Sequence, residues 1–270
     1  MEHFRDRVAV ITGGAGGIGM AMARAFAERG AKLVLADLDE EALQRSVAEL
    51  SRAGAQAHGV RTDVTRLESV QALADAARSK FGGAHIVCNN AGIATFGEIR
   101  QSSHQDWVYT MNVNFWGVVH GVETFVPLLV DQQQGGHIVN TASMAGLIGM
   151  RWLGIYSASK FAVVGLTEAL NRELTPLGIG VSVLCPMIVD TQINQNSVRM
   201  RPSELRTAEE PLIPPANSMA GGTIAPPEVA RRVVRAIERG DLYILTHPEQ
   251  RAILRRRAEK LDAMFEEKTW

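Results

Sequence analysis

The chain has 270 residues, with 28 Lys plus Arg against 29 Asp plus Glu and a formal net charge of −1, a balance that points to neither nucleic acid nor an anionic membrane as partner. Two cysteines are too few for a disulfide framework, and seven histidines without paired spacing or Cys partners give no metal site. The start Met1-Glu2-His3-Phe4-Arg5-Asp6 carries no apolar signal segment and no run reaches transmembrane length, so a soluble, cytosolic protein is expected.

The first predicted element is an apolar strand over 7–12, followed at once by Gly13-Gly14-Ala15-Gly16-Gly17-Ile18-Gly19 and a helical pattern through Ala21, Ala25 and Phe26. Strand, glycine turn and helix in that order suit a pyrophosphate: the glycines let the backbone come close, and the free N–H groups at the helix start stabilise the negative charge. A second strand over 32–36 ends in Asp37, 18 residues after Gly19. A carboxylate there accepts hydrogen bonds from the adenosine ribose hydroxyls and repels a 2′-phosphate. No Arg or Lys lies within the glycine loop or directly after Asp37, so NAD is favoured over NADP; the alternative use of Asp37 is as a helix cap for Asp39-Glu40-Glu41.

Further strands are predicted near 55–60, 84–89, 136–141, 179–184 and 241–246, separated by helical stretches. That alternation predicts an α/β fold, a Rossmann-type doubly wound parallel sheet of seven strands with helices on both faces, in a single domain over 1–270. Gly13 to Gly19, Asp37, Asn90, Ser143 and Thr191 all follow a predicted strand, so they can line one crevice at the carboxyl ends.

The run Tyr156-Ser157-Ala158-Ser159-Lys160, with Ser143 thirteen residues before the tyrosine, carries the chemistry. A phenol with the ordinary pKa of about 10 is rarely a base at pH 7. On a helix over about 155–176, Tyr156 and Lys160 stand at i and i+4 on one face, where the ammonium favours the phenolate, and a positive nicotinamide ring would add to the shift. Ser143 can hydrogen-bond the substrate oxygen. The same spacing also occurs on helices where the tyrosine merely packs and the lysine is solvated; the glycine turn is the independent signal that favours chemistry.

These motifs resemble the classical short-chain dehydrogenase/reductase family over about residues 5–250. Thr12-Gly13 with Gly17-Ile18-Gly19 is similar to its cofactor turn, Asp63-Val64 to its adenine-contacting pair, and Asn89-Asn90-Ala91-Gly92 to the segment under the cofactor. Asn114 falls where the family has its catalytic asparagine, so that Asn114, Ser143, Tyr156 and Lys160 form a tetrad. The resemblance implies strand order 3-2-1-4-5-6-7 and a water held by Asn114 that relays protons from Lys160. It also implies that Lys160 binds the nicotinamide ribose and that the Val189 backbone and Thr191 hold the carboxamide. Two long helices, near 103–131 and 155–177, commonly pair between subunits in the family, which implies a homotetramer or dimer. One departure is Met187, where the family has glycine after Pro186; it requires a backbone compatible with a side chain, or strain.

The segment over about 192–226 is long and rich in proline, and reads as a lid over the substrate. Ala94, Phe96, Leu147, Met150, Trp152 and Met187 are expected around the mouth, which suits an apolar or aromatic secondary alcohol or its ketone better than a charged sugar. An amphipathic helix over about 248–268 ends the chain, and the stretch 242–249 resembles bacterial dehydrogenases of lignin-derived aryl alcohols. Two other readings remain at this stage: an NADP-linked carbonyl or ketoacyl reductase, which would differ mainly at Asp37, and a non-catalytic nucleotide-sensing scaffold.

Overall fold

Continuous apolar runs such as Val-Ala-Val-Ile-Thr suit strands covered on both faces, and the central strands are buried along their whole length. The computed structural model describes residues 4–205 and 221–266. Its strands are β1 (Val8–Thr12), β2 (Lys32–Asp37), β3 (Ala57–Arg61), β4 (Ile86–Asn89), β5 (Gly136–Thr141), β6 (Ile179–Cys185) and β7 (Tyr243–Leu245). All pair in parallel in one seven-stranded sheet of order β3-β2-β1-β4-β5-β6-β7, as the sequence implied.

The helices are α1 (Gly17–Ala27), α2 (Glu40–Arg52), α3 (Leu67–Phe81), α4 (His104–Met111), α5 (Gly117–Gln132), α6 (Gly154–Leu174), α7 (Ile193–Arg199), α8 (Pro226–Arg239) and α9 (Arg251–Glu266). One face of the sheet is covered by α1, α2 and α8, through Met22, Phe26, Leu43, Val233 and Ile237. The other is covered by α3, α5 and α6, through Leu73, Phe125, Leu129 and Leu170. Strand order reverses between β1 and β4, and the crevice opens there at the carboxyl ends.

Several boundaries differ from expectation. Strands β3, β4 and β7 are shorter than their predicted ranges. The helix expected over 103–131 is split by a π turn, Asn112–Trp116, between α4 and α5. The Asn114 side chain lies in this turn, fully buried, and its amide both donates to Ile93 O (3.0 Å) and accepts from Ile93 N (2.8 Å). A π turn holds one more residue than an α turn, which suits a side chain pinned to a neighbouring loop.

The whole helical run His104–Gln132 spans 29 residues and is apolar enough, by length and composition, to cross a membrane, which corrects the expectation that no run reaches that length. Here its apolar side chains Val118, Phe125 and Leu129 pack into the core. The terminal helix, expected over 248–268, begins with a 3-10 turn, Pro248–Gln250, before α9. Residues 206–220 of the lid segment, with the chain ends, lie outside the described residues.

His137, at the start of β5, is buried; its Nε2 lies 2.8 Å from the Ser182 hydroxyl, which in turn donates to Asp241 O at 2.6 Å. Burial pushes its pKa down from 6.5 to about 3. A histidine depressed in this way contributes stability that is full above the unfolded value of 6.5 and is lost as pH falls towards 3. Between those limits the loss approaches about 1.4 kcal/mol per pH unit. His137→Gln keeps an amide for Ser182 but cannot titrate, so its unfolding midpoint should fall less steeply than the parent's between pH 6.5 and 4.5 in thermal melts. Equal slopes would remove His137 from the acid transition.

Candidate active site

The glycine turn is built by close approach. Gly13 has φ +62, and a Cβ at Gly19 would lie 2.1 Å from Gly13 O, so the first turn of α1 sits almost on the loop that precedes it. Thr12 ties this loop to the end of β4: its hydroxyl accepts from Asn90 N (2.9 Å) and Ala91 N (3.1 Å). The Asn90 side chain donates to Thr12 O at 3.0 Å, and its carbonyl oxygen accepts from the Thr141 hydroxyl at 3.2 Å, linking the ends of β1, β4 and β5.

Asp37, at the end of β2, faces the same crevice. Its carboxylate accepts from Ala15 N and Asp39 N, both at 3.1 Å. Burial raises its pKa and these backbone bonds oppose the rise. Helix α2 is capped by Asp39, which accepts from Ala42 N at 3.0 Å, so the alternative of Asp37 as the cap does not hold. Asp63 and Val64 also line the crevice, and Asp63 Oδ1 accepts from Thr65 N and the Thr65 hydroxyl.

Tyr156, in the first turn of α6, lines the crevice opposite the glycine loop. Ser143 caps the 3-10 turn Met144–Gly146; its hydroxyl accepts from Ala145 N (3.2 Å) and donates to Pro186 O (3.3 Å), and it lines the same crevice as Tyr156. The Lys160 ammonium donates to Thr141 O at 3.0 Å and lies 5.6 Å from the centre of the Tyr156 ring. A Cβ at Gly92 would be 3.2 Å from Asn114 Oδ1 and 3.4 Å from Lys160 Nζ, so the asparagine and the lysine meet at this glycine. The four tetrad side chains thus gather from the π turn, the end of β5 and α6.

Among protein groups alone the Tyr156 pKa is raised, because burial outweighs the opposing influence of Ser143. Lys160 is itself pushed down to about 8 by burial. Burial thus opposes the phenolate, and a positive charge placed in the crevice would favour it.

After β6 the chain pairs Val189 with Ile224: Ile224 N donates to Ile188 O and Asp190 N donates to Ile224 O. In a parallel bridge of this kind the N–H and C=O of Val189 itself point the other way, and Val189 lines the crevice. The Thr191 side chain packs against the glycine loop, its Cγ2 lying 3.2 Å from where a Gly17 Cβ would stand. Met187 is not among the residues with positive φ, so the backbone accommodates it. Its N–H reaches His247 Nδ1 at 3.4 Å, and His247 Nε2 lies 2.9 Å from Gly222 O, so a buried histidine near the end of the chain holds both sides of the lid segment.

The crevice encloses about 1410 Å³, more than the about 300–1,000 Å³ of a single small-molecule pocket. Ala94, Phe96, Met150 and Met187 line it as expected. Leu147 and Trp152 are not part of its lining; Leu147 packs into a core cluster and Trp152 O holds Gly97 N at 2.9 Å. Tyr109 on α4 is part of the lining and was not foreseen, since it carries no local motif, whereas Arg199 on α7 lines it as part of the expected lid segment.

A dinucleotide cradle at a topological switch point with a Ser-Tyr-Lys cluster across from it defines a nicotinamide-dependent oxidoreductase. The chain belongs to the short-chain dehydrogenase/reductase family: the family model for short chain dehydrogenases matches residues 7–202. A short-chain dehydrogenase/reductase from Burkholderia phymatum, solved in complex with NAD, is 43% identical, with a TM-score of 0.91 over 98% of this chain and 97% of that one. The C alpha-dehydrogenase of Sphingobium sp. strain SYK-6 is 37% identical, with 93% of this chain and 84% of that protein covered. The 1-deoxy-11-beta-hydroxypentalenate dehydrogenase of Streptomyces exfoliatus is 34% identical, with 94% and 87% covered. The residues present fit a nicotinamide dinucleotide: the loop at Gly13 and Gly19 leaves no room for side chains, and Asp37 faces the crevice beside it.

Proposed function

We propose that this protein is an NAD-dependent alcohol dehydrogenase or ketone reductase acting on a hydrophobic or aromatic secondary alcohol or its ketone. The observation that carries this reading is the placing of Tyr156 and Ser143 in the same crevice as the glycine loop and Asp37. NAD, when bound, supplies the hydride acceptor and a positive ring beside the phenol. Tyr156 takes the hydroxyl proton of the alcohol in oxidation and returns it in reduction, while Ser143 orients the substrate oxygen. Lys160, fixed on Thr141 O, hydrogen-bonds the nicotinamide ribose. Asn114 anchors the π turn beside Lys160, and because its side-chain amide is engaged by Ile93 and by Ser159, a relay water would be held by the backbone of the turn.

Gly13, Gly17, Ile18 and Gly19 hold the pyrophosphate, Asp37 the adenosine ribose, Asp63, Val64 and Asn90 the adenine side and floor, and Val189 with Thr191 the carboxamide. Phe96, Tyr109, Met150 and Met187 give the substrate end its apolar character, with the segment 192–226 as lid. Both cysteines are buried and free, in keeping with a cytoplasmic setting. Exposed Val108 and Trp116 on the α4–α5 run favour a homotetramer or dimer.

The test is absorbance at 340 nm with a panel of hydrophobic and aryl secondary alcohols, each with NAD and with NADP. Reduction of NAD is expected. Turnover only with NADP would overturn the role of Asp37, and silence across the panel despite NADH binding would favour a non-catalytic scaffold. In the same assay, Asp37→Asn should raise the NADP-to-NAD ratio of kcat/KM about tenfold or more, since a charged hydrogen bond to the ribose is lost and a repulsion removed.

A further inference from the structure

We propose that Arg199 and Asp39 form a latch that closes the lid helix over the adenosine side of the cofactor and slows cofactor release. The inference rests on the reading of the crevice as the NAD site and adds two positioning residues to it.

Helix α7 crosses the crevice like a bar. Its inner side is held by the Ser197 hydroxyl, which accepts from Ala94 N at 2.8 Å. Beyond its last turn, Met200 O accepts from the Tyr109 hydroxyl at 3.2 Å, and Arg201 is ion-paired with Asp106 on α4. Arg199 reaches the other way: its guanidinium donates to Asp39 Oδ2 at 2.9 Å, at the start of α2. Both residues line the crevice, as do Asn194, Gln195 and Asn196. The connection continues inward, because Asp39 N donates to Asp37 Oδ1 and Ala15 N to Asp37 Oδ2. One chain of contacts therefore links the glycine loop, the ribose carboxylate, the α2 cap and the lid helix.

An ion pair this exposed does little for folding, with side-chain accessibilities of 61% and 20%. Its position gives it another use. A dinucleotide lying between the glycine loop and α7 is released as α7 lifts, and lifting α7 breaks the Arg199–Asp39 contact. The cost of that break enters the release rate, and with it the rate of any turnover limited by cofactor departure.

The experiment is stopped-flow release of NADH, followed by nucleotide fluorescence, for the full chain and for Arg199→Gln, Asp39→Asn and the double variant. Asparagine is as good a helix cap as aspartate, so Asp39→Asn removes the charge while keeping α2. Each single variant should release NADH about two- to fivefold faster, the range of an exposed pair. The double variant should be no faster than the quicker single one. Release from the parent should also accelerate with added NaCl and release from the variants should not, a dependence that a merely structural role would not produce. Unchanged single variants, or effects that multiply in the double variant, would overturn the latch. Failure of the parent to bind NADH at all would overturn the cofactor reading and the latch with it.

Discussion

Tyr156→Phe is expected to lower kcat by about 10²- to 10⁴-fold, the range for loss of a positioned acid/base group, while NADH still binds. The substitution removes one oxygen and leaves the ring. Ser143 keeps its bond to Pro186 O, and Lys160 keeps Thr141 O at 3.0 Å, so the surroundings survive. Turnover at 340 nm and NADH fluorescence, measured on the same sample, separate chemistry from binding; near-normal turnover would dismiss the phenol as the proton carrier. The pH dependence has a defined sign. Oxidation needs the phenolate, and burial holds the Tyr156 pKa above its ordinary value until cofactor charge is added. Alcohol oxidation should therefore climb on the alkaline side, whereas ketone reduction, which needs the neutral phenol, should decline there.

Gly19→Ala and Gly16→Ala should fail in different ways. An alanine Cβ at position 19 would stand 2.1 Å from Gly13 O and 2.9 Å from Asn90 Nδ2, against backbone and a side chain bonded on both sides. Relief requires α1 to move off β1, and overpacking of this kind costs about 1–3 kcal/mol or more. A lowered unfolding midpoint and at least tenfold weaker NADH binding are expected together. At Gly16 nothing lies within 4 Å of the added carbon, and the backbone is extended. That variant should melt with the parent, and its loss should be confined to NADH affinity because the methyl enters the space for the pyrophosphate. If both variants melt normally, the contact at Gly19 is not what fixes the turn.

The sequence carried the sheet and most of the crevice because the central strands are largely apolar and buried, and the glycine loop, Asp37, Asn90, Ser143 and Thr191 stand at or beyond strand ends. Asp37 and Ser143 could be placed on that basis alone. Val189 and Thr191 are less self-evident, since their orientation depends on Ile224, which returns from more than thirty residues later. Leu147 and Trp152 were expected at the mouth because they are large, apolar and close in sequence to Tyr156. The turn that leads into α6 directs them elsewhere, with Trp152 at φ 63 and its carbonyl on Gly97. Tyr109 escaped notice for the opposite reason: it belongs to no motif, and only its place on α4 beside α7 brings it to the crevice. Lys160 shows a third limit. Spacing put it beside Tyr156, but the cost of burying an ammonium appears only once its surroundings are known.

The π turn at Asn112–Trp116 has a consequence for the geometry of the whole helical run. One residue in an α-helix corresponds to about 100° of rotation, so an additional residue in one turn changes the phase of everything after it relative to everything before. Upstream, Tyr109 looks towards α7 through Met200. Downstream, Gly117 and Gly121 lie hard against Val64 and Asn89, where a Cβ would come within 2.9 Å and 2.0 Å of a side-chain atom. Deleting a single residue from the turn would put the two halves back in step, and the rod could then satisfy the lid or the sheet, but not both.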